Sequence, residues 1–359
     1  MIDQHDGAGL GQTAGPVREA HRFDEARLAA WMVDHVEGYA GPLTVEQFQG
    51  GQSNPTYRLS TPARKYVLRR KPPGRLLPSA HAVDREYRIV TALKNSDVPV
   101  AKTCGLCTDD SIIGTTFFVM DYVAGRVFWD PTLPDMTPAS RGAIFDELNR
   151  VIAALHRTDY AALGLGDYGR PGNYFVRQID RWTKQYRASE TEKIDAMDNL
   201  IAWLPAHVPA DDETSIVHGD YRLDNVIFHP TEPRILAVLD WELSTLGNPL
   251  GDFAYHMMQW RLGSSTYQRG LADIDFAKEG VPDEAQYKAT YCKRTGRADI
   301  PNWDFYMVYN MFRLAAILQG IMGRVVEGNA SSANAREQGA RAKLLAEAGW
   351  RLVEQSGAA

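Results

Sequence analysis

The chain has 359 residues, of which 44% are hydrophobic and 23% charged, and its formal net charge is −6 at pH 7. This balance is typical of a globular protein with a sizeable core, and the negative charge argues against broad binding of nucleic acid. No apolar run reaches the roughly 18–20 residues of a membrane span, so no membrane partner is expected.

The first 22 residues are predicted to form a mobile arm. Residues 1–16 are rich in glycine and lack the basic and apolar regions of a secretory signal, so a cytoplasmic protein is expected. Three cysteines are present, and two of them form a single Cys104-x-x-Cys107 motif. Because no second Cys or His pair accompanies that motif, we interpret these thiols as structural.

A helix is predicted from Phe23 to Val36, and two short strands follow between Leu43 and Leu59. The turn between the strands reads Gly50-Gly51-Gln52-Ser53-Asn54. Glycines let a backbone approach a ligand closely, and turn amides can cradle phosphate oxygens. An ordinary hairpin turn is the competing interpretation. If the turn covers a nucleotide, Ser53 and Asn54 are the candidates for polar contacts with phosphate.

The next predicted strand runs from Lys65 to Lys71 and carries several cations. Strand alternation places Arg69 and Lys71 on the same face, so either of them can serve as a phosphate-binding cation. Arg70 is interpreted as part of a solvated basic edge strand. A helix from about Ser79 to Lys94 follows, and then a buried strand from Thr116 to Val123.

Helices are predicted to dominate the rest of the chain, the first of them starting at Thr137-Pro138. Arg177 and Arg181 are four residues apart on one helix face, which would suit an acidic or nucleotide-bearing acceptor. A solvated charge stripe is the alternative. Arg313 and Arg324 interrupt a long apolar stripe and are further candidates to face a substrate groove.

A predicted hairpin brings two carboxylates and a carboxamide toward one point. Short apolar runs at Val226–Phe228 and Ile235–Leu239 flank a turn; Asp220 and Asn225 precede the hairpin, and Asp240 lies at its far end. Phosphoryl transfer requires such a set. One Asp orients and deprotonates the attacking hydroxyl, while an Asn and a second Asp hold the Mg²⁺ that bridges the nucleotide phosphates.

The pattern His218-x-Asp220, with Asn225 five residues later and Asp240-Trp241-Glu242 after the next strand, resembles the catalytic and metal loops of protein kinases. Gly219 stands where protein kinases carry Arg, and Asp240-Trp241-Glu242 where they carry Asp-Phe-Gly. In these departures the chain resembles the aminoglycoside phosphotransferase and choline kinase-like family. The flanking residues are similar to the subgroup that occurs alone in bacteria or fused to acyl-CoA dehydrogenase. The resemblance covers roughly residues 24 to 330.

The resemblance implies an α+β, two-lobed protein-kinase-like fold, with a sheet-rich nucleotide-covering lobe at residues 23–123 and a mainly helical catalytic lobe at residues 124–359. It implies ATP and Mg²⁺ as cofactors, Asp220 as the catalytic base, and Asn225 and Asp240 as metal ligands. It places Arg69 where protein kinases carry the Lys that pairs the phosphates, with Lys71 as the alternative and Glu86 as the ion-pair partner.

Further roles follow from the same resemblance. The backbone of Asp121, Tyr122 and Val123 would contact the adenine edge. Arg222 would be a transition-state cation, and a salt bridge from Arg222 to Asp224 or Glu242 is the alternative. Asp252 would brace the catalytic loop.

The expected function is ATP- and Mg-dependent phosphorylation of a small-molecule hydroxyl group. The link to acyl-CoA dehydrogenases implies a hydroxyacyl-CoA acceptor, whose CoA phosphate the Arg177 and Arg181 face would suit. An aminoglycoside-type antibiotic kinase is one alternative, although no long acidic run occurs between residues 126 and 214. A catalytically silent nucleotide-binding scaffold is another, because Arg69 replaces the expected Lys. The sequence does not indicate an oligomeric state.

Overall fold

The structure is a computed structural model that describes residues 13–48, 54–72, 82–210, 212–267, 269–328 and 334–357. The chain forms two compact units that are not contiguous in sequence. The first contains residues 1–129, 161–165 and 222–244, and the second contains residues 130–160, 166–221 and 245–359. The hairpin after Asn225 therefore belongs to the first unit, whereas a division by sequence order at residues 123 and 124 assigns it to the second lobe.

An antiparallel sheet of six strands, in the order β1-β2-β3-β4-β6-β5, forms the centre of the first unit. The strands are β1 (Ala14–Gly15), β2 (Thr44–Phe48), β3 (Thr56–Ser60), β4 (Lys65–Arg70), β5 (Thr103–Cys107) and β6 (Phe117–Asp121). Its helices are α1 (Glu25–His35), α2 (Val83–Leu93) and α3 (Asp110–Ile113). The sheet, together with the helical second unit, confirms the predicted α+β class.

Part of the predicted N-terminal arm is built into this sheet. Strand β1 pairs with β2, and the Tyr57 hydroxyl donates to the His21 carbonyl at 3.0 Å. Residues 14–21 are therefore ordered components of the first unit. Residues 1–12 of the predicted arm lie outside the described residues.

Strand β4 is interior, because β3 lies on one side of it and β6 on the other. The expectation of a solvated edge strand at Arg70 is therefore wrong. Arg70 is only 2% exposed, its guanidinium donates to the carbonyls of Ile113 and His21, and it lies over the rings of Phe23 and Tyr57. The sequence shows the charge of this residue but not the strand order that buries it.

The predicted hairpin is present as β8 (Val226–Phe228) and β9 (Ile235–Val238), and β7 (Ser215–Val217) and β10 (Thr245–Gly247) form a two-stranded sheet in the second unit. The hairpin is attached to the chain after β6, since Arg126 and Phe228 exchange two backbone hydrogen bonds of 2.8 Å. A Cβ at Gly125 would lie 2.2 Å from the Phe228 carbonyl oxygen, so only glycine fits this approach.

Helices dominate the second unit. They are α4 (Pro138–Arg157), α5 (Tyr174–Ala188), α6 (Asp195–Trp203), α7 (Pro249–Met257), α8 (Phe276–Glu279), α9 (Glu284–Thr295), α10 (Trp303–Val326) and α11 (Ala335–Gln355). Helix α4 starts as predicted, with the Thr137 side chain accepting the Ser140 amide and Pro138 at its first position. None of the described helices is long and apolar enough to cross a membrane.

Candidate active site

A cavity in the first unit is lined by Arg69, by residues 121 to 123 and by both predicted metal ligands, Asn225 and Asp240. Its walls combine an apolar slot with charged and amide side chains at one end. It is lined by Phe48, Thr56, Val67, Arg69, Ala101, Met120, Asp121, Tyr122, Val123, Val127, Trp129, Asp224, Asn225, Ile227, Leu239 and Asp240. An apolar slot that leads to charged groups suits a planar base joined to phosphates.

Arg69 bridges two carboxylates at the polar end of this cavity. Its Nε donates to Glu86 at 3.0 Å, and its Nη2 donates to Asp240 at 3.1 Å. The predicted ion pair of Arg69 and Glu86 is thus present. The same guanidinium also contacts Asp240, the predicted metal ligand. A Lys at this position would offer a point charge rather than this two-armed geometry.

The cluster around Arg69 carries more negative than positive charge. Burial lowers the pKa of Arg69, but Glu86, Asp240 and Glu242 outweigh that effect and raise it above its ordinary value. Burial raises the pKa of Glu86 to about 7; Arg69 opposes this rise, and the negative charges of Asp240 and Glu242 add to it. One cation among three carboxylates leaves a site that would be stabilised by a further cation.

Lys71, the alternative phosphate cation, is not among the residues that line this cavity. Its Nζ lies 3.5 Å from an Asp84 oxygen, in a partly exposed ion pair. Strand β4 ends at Arg70, so the alternation that predicted a common face for Arg69 and Lys71 does not extend to Lys71.

Asn225 and Asp240 are held at the base of the hairpin. The Leu239 amide donates to the Asn225 carbonyl at 2.8 Å, which joins the two ends of the hairpin directly beside both residues. Asp240 has φ 62° and ψ 58°, a left-handed conformation that is uncommon for a residue with a side chain and is often found at functional sites.

The donor set at Asn225 and Asp240 fits Mg²⁺. Within the described parts of the chain, no group of three or more His, Cys, Asp or Glu side chains is arranged to hold a metal ion. An all-protein cage is therefore not formed there. Mg²⁺ is usually bound by one or two carboxylates together with substrate phosphates, and the excess negative charge around Arg69 favours such a cation.

Asn54 and Arg222 are also placed in the first unit. Asn54 is 3% exposed, and its Nδ2 donates to Glu242 at 3.3 Å. Arg222 Nε lies 3.5 Å from Asp224, so the salt bridge that was the alternative to a catalytic role is present. The other candidates of the glycine turn, Gly50, Gly51 and Ser53, lie outside the described residues.

The segment predicted to contact adenine, residues 121 to 123, lines the apolar part of the cavity. The Asp121 amide donates to the Lys102 carbonyl at 2.8 Å, and the Tyr122 amide donates to the Lys65 carbonyl at 3.2 Å. These contacts within the first unit thus use two of the three amides that were predicted to contact adenine.

The candidate base, Asp220, lies in the second unit and is held by a residue that the sequence analysis missed. The Tyr255 hydroxyl donates to Asp220 Oδ1 at 2.5 Å. Tyr255 is on α7, one turn after Asp252, which the sequence had singled out. The spacing of three residues was therefore a signal that Tyr255 shares a face with Asp252.

Asp252 fixes the backbone ahead of Asp220. It accepts the amides of His218 at 2.7 Å and Gly219 at 2.8 Å, and it lies 3.2 Å from His156 Nε2. Burial would raise the pKa of Asp252, but hydrogen bonds and charge from His156 and His218 outweigh it and lower the pKa below its ordinary value. The sequence analysis had assigned no role to His156.

Gly219 has φ 83°, in the left-handed region that favours glycine. This conformation gives a physical reason for glycine at the position where protein kinases carry Arg. The Gly219 carbonyl accepts from Arg313 Nη2 at 2.8 Å. Arg313 is therefore beside the loop that carries Asp220, whereas Arg324, the other cation of the same helix, is exposed.

The two arginines of α5 do not form one basic face. Arg177 donates to the carbonyls of Gly172 and Arg170, in the loop that precedes its own helix. Arg181 is exposed, and its guanidinium lies 5.2 Å from the centroid of the Trp182 ring. Arg177 is thus occupied within the protein, and the expectation of a paired phosphate-binding face is not supported.

In comparisons with a family model and with known proteins, the chain is similar to phosphotransferases and to acyl-CoA dehydrogenase family members. A family model described as the phosphotransferase enzyme family matches residues 44–289. Acyl-CoA dehydrogenase family member 10 from Mus musculus is 48% identical over 344 residues, which is 95% of this chain and 32% of that protein. The chain spans less than half the length of the acyl-CoA dehydrogenase family members that it matches.

Solved structures give the same grouping. A crystal structure from Ralstonia eutropha JMP134, assigned by its name to the aminoglycoside phosphotransferases, is 59% identical, covers 93% of this chain and 99% of its own, and has a TM-score of 0.87. A ternary complex of the aminoglycoside phosphotransferase APH(4)-Ia with ADP and hygromycin B is 15% identical, with a TM-score of 0.59 and coverage of 90% and 97%. The second likeness concerns the fold alone.

Proposed function

Because the chain belongs to the phosphotransferase enzyme family, we propose that it transfers the terminal phosphoryl group of ATP to a hydroxyl group of a small molecule. The observation that carries the proposal is the polar end of the first unit's cavity. There Arg69 joins Glu86 to Asp240, and Asn225 lies at the other end of the same hairpin. Such a group of side chains suits phosphates and a divalent cation.

In this proposal each residue has a separate task. The segment at residues 121 to 123 and the apolar slot hold the base, and Arg69 neutralises phosphate charge. Asn225 and Asp240 would hold Mg²⁺, which supplies charge neutralisation at the phosphates when bound.

Asp220 orients the acceptor hydroxyl and accepts its proton, while the hydrogen bond from Tyr255 fixes the carboxylate. Positioning and charge neutralisation contribute most of the catalysis in this chemistry.

The acceptor that we propose first is a hydroxyacyl-CoA. Its support is the similarity over 95% of this chain to a protein named as an acyl-CoA dehydrogenase family member, of which the chain matches only a part. An aminoglycoside is the second candidate, favoured by the name of the Ralstonia eutropha structure. The occupied side chain of Arg177 removes one of the two CoA-phosphate contacts expected from sequence and leaves Arg181.

The test measures ATP consumption with Mg²⁺ over a panel of hydroxyacyl-CoA esters, sugars and aminoglycosides, for the wild type and Asp220→Ala. Asp180→Ala is the matched control, because that carboxylate is in the same unit in an exposed pair with Lys184. Turnover that depends on an acceptor and is lost only in Asp220→Ala supports the proposal. ATP binding without turnover on any acceptor would favour a silent scaffold, and absence of ATP binding would refute the nucleotide site.

A further inference from the structure

Arg313 on α10 is a buried cation that forms no ion pair within 4.0 Å in the described part of the chain. Burial lowers its pKa, but nearby groups that include the Asp220 carboxylate outweigh burial and raise the pKa. The residue is 8% exposed. Its guanidinium lies 5.0 Å from the centroid of the Tyr255 ring and 5.7 Å from that of Trp182, and its Nη2 donates to the Gly219 carbonyl. Its described surroundings are therefore aromatic rings, one carbonyl group and, within electrostatic reach, the Asp220 carboxylate.

These surroundings satisfy only part of what a guanidinium offers. The group has five N–H donors, and the one described hydrogen bond uses a single donor. Other arginines of comparable burial are better matched: Arg141, 7% exposed, pairs with Glu279 at 2.6 Å, and Arg70 donates to two carbonyls. None of the Arg313 nitrogens is among the fully buried atoms without a partner, whereas Arg70 Nε is, so the spare donors of Arg313 are open to a ligand.

The position of Arg313 indicates which ligand that would be. Gly219, whose carbonyl it contacts, directly precedes Asp220 in the chain. Tyr255, whose ring it covers, donates its hydroxyl to Asp220. A group bound by Arg313 would therefore belong to the molecule whose hydroxyl Asp220 handles.

We propose that Arg313 binds a carbonyl-type oxygen of the acceptor, so that the enzyme selects hydroxyl compounds carrying a carboxylate or an acyl thioester and rejects polycations. The inference rests on the proposed function and specifies its acceptor. A guanidinium donates well to carboxylate and carbonyl oxygens. An aminoglycoside would instead bring several ammonium groups to a buried cation, where like charges repel in a low dielectric.

The experiment compares the wild type with Arg313→Gln and Arg313→Lys on four acceptors: a hydroxy acid, its pantetheine thioester, the diol in which the carbonyl is reduced, and an aminoglycoside. Steady-state turnover is measured with ATP and Mg²⁺, and binding of each acceptor with ADP present is measured by calorimetry. Both carbonyl compounds should be preferred by the wild type. Arg313→Gln should weaken their binding by about tenfold or more, and leave the KM for ATP unchanged.

The Arg313→Lys variant distinguishes a carboxylate oxygen from a thioester carbonyl oxygen. It keeps the positive charge but lacks the planar, two-armed donor geometry of the guanidinium. A carboxylate should retain most of its affinity for the Lys variant, and a thioester should lose it. Because Arg313→Gln removes a buried contact, ADP binding and thermal denaturation report whether it is folded. If it is not, the Lys variant carries the comparison.

The inference is overturned if the diol or the aminoglycoside is preferred, if no carbonyl compound binds, or if the Gln variant binds them as the wild type does. The proposed function fails by a different result, namely wild-type turnover that persists in Asp220→Ala. If the wild type turns over none of the four acceptors, the calorimetric comparison alone decides whether Arg313 recognises the carbonyl oxygen.

Discussion

Replacing Glu86 by Gln should remove a pH-dependent loss of stability from the nucleotide-free protein. Burial raises the pKa of Glu86 to about 7 from an ordinary value of 4.5. The unfolded chain therefore releases this proton near pH 4.5, whereas the folded protein retains it until about pH 7. Between these values the folded state binds more protons, so the free energy of unfolding falls as the pH rises. The stabilising contribution is complete below pH 4.5 and is lost above pH 7.

The size of the effect follows from the shift. Each pKa unit corresponds to about 1.4 kcal/mol, so Glu86 accounts for a loss of about 3 kcal/mol across this range. Only 3% of the Glu86 side chain is exposed, so solvent screening reduces this value little. Gln retains an oxygen that can accept a hydrogen bond from Arg69, but it cannot ionise. Its contribution to the free energy of unfolding therefore does not change with pH.

The assay is urea unfolding of the nucleotide-free wild type and Glu86→Gln at intervals from pH 4.5 to 8. The difference between their unfolding free energies should change by about 3 kcal/mol over that range, in favour of the variant at high pH. Glu46→Gln serves as the control for loss of a Glu–Arg pair, because Glu46 pairs with Arg58 at 2.8 Å in a more exposed part of the same sheet. Parallel curves for the wild type and Glu86→Gln would refute the reasoning.

Two further variants test the site in each unit. Tyr255→Phe removes the hydroxyl that donates to Asp220. In steady-state kinetics it should lower kcat about tenfold or more without changing the KM for ATP. An unchanged kcat would show that this hydrogen bond does not position the base. Arg69→Lys exchanges a fork that contacts two carboxylates for a single ammonium and should raise the KM for ATP several-fold to about tenfold. Lys71→Gln is its matched control. If Lys71→Gln raises the KM for ATP more than Arg69→Lys does, Lys71 rather than Arg69 is the phosphate-binding cation.

The predictions that succeeded rest on local signals. Short apolar runs on either side of a turn were enough to predict the hairpin from Val226 to Val238. Thr137 followed by Pro138 was enough to predict the start of α4. Family membership confirms that the chain is a phosphotransferase and confirms the predicted fold. The ligands of nucleotide and metal stay predictions, although Arg69, Asn225 and Asp240 all line one cavity.

The errors arise where distant parts of the chain meet. Arg70 was interpreted as solvated because a strand's sequence does not reveal its neighbours, and here the strand lies between β3 and β6. Arg177 was grouped with Arg181 because helical spacing places both on one face of α5. That spacing does not reveal the loop before the helix, whose carbonyls accept hydrogen bonds from Arg177. Tyr255 is 35 residues from Asp220, and its helical spacing from Asp252 was the one signal in the sequence for this contact.

The exchange of Lys for Arg at position 69 need not signal a lost activity. A Lys could pair with Glu86 or with Asp240, while the planar guanidinium contacts both at once, at 3.0 and 3.1 Å. The same residue thus connects α2, the central strand β4 and the base of the hairpin. In the absence of a divalent cation, its charge offsets part of the repulsion among Glu86, Asp240 and Glu242. The departure that suggested a silent scaffold thus holds Asp240 in place in this geometry.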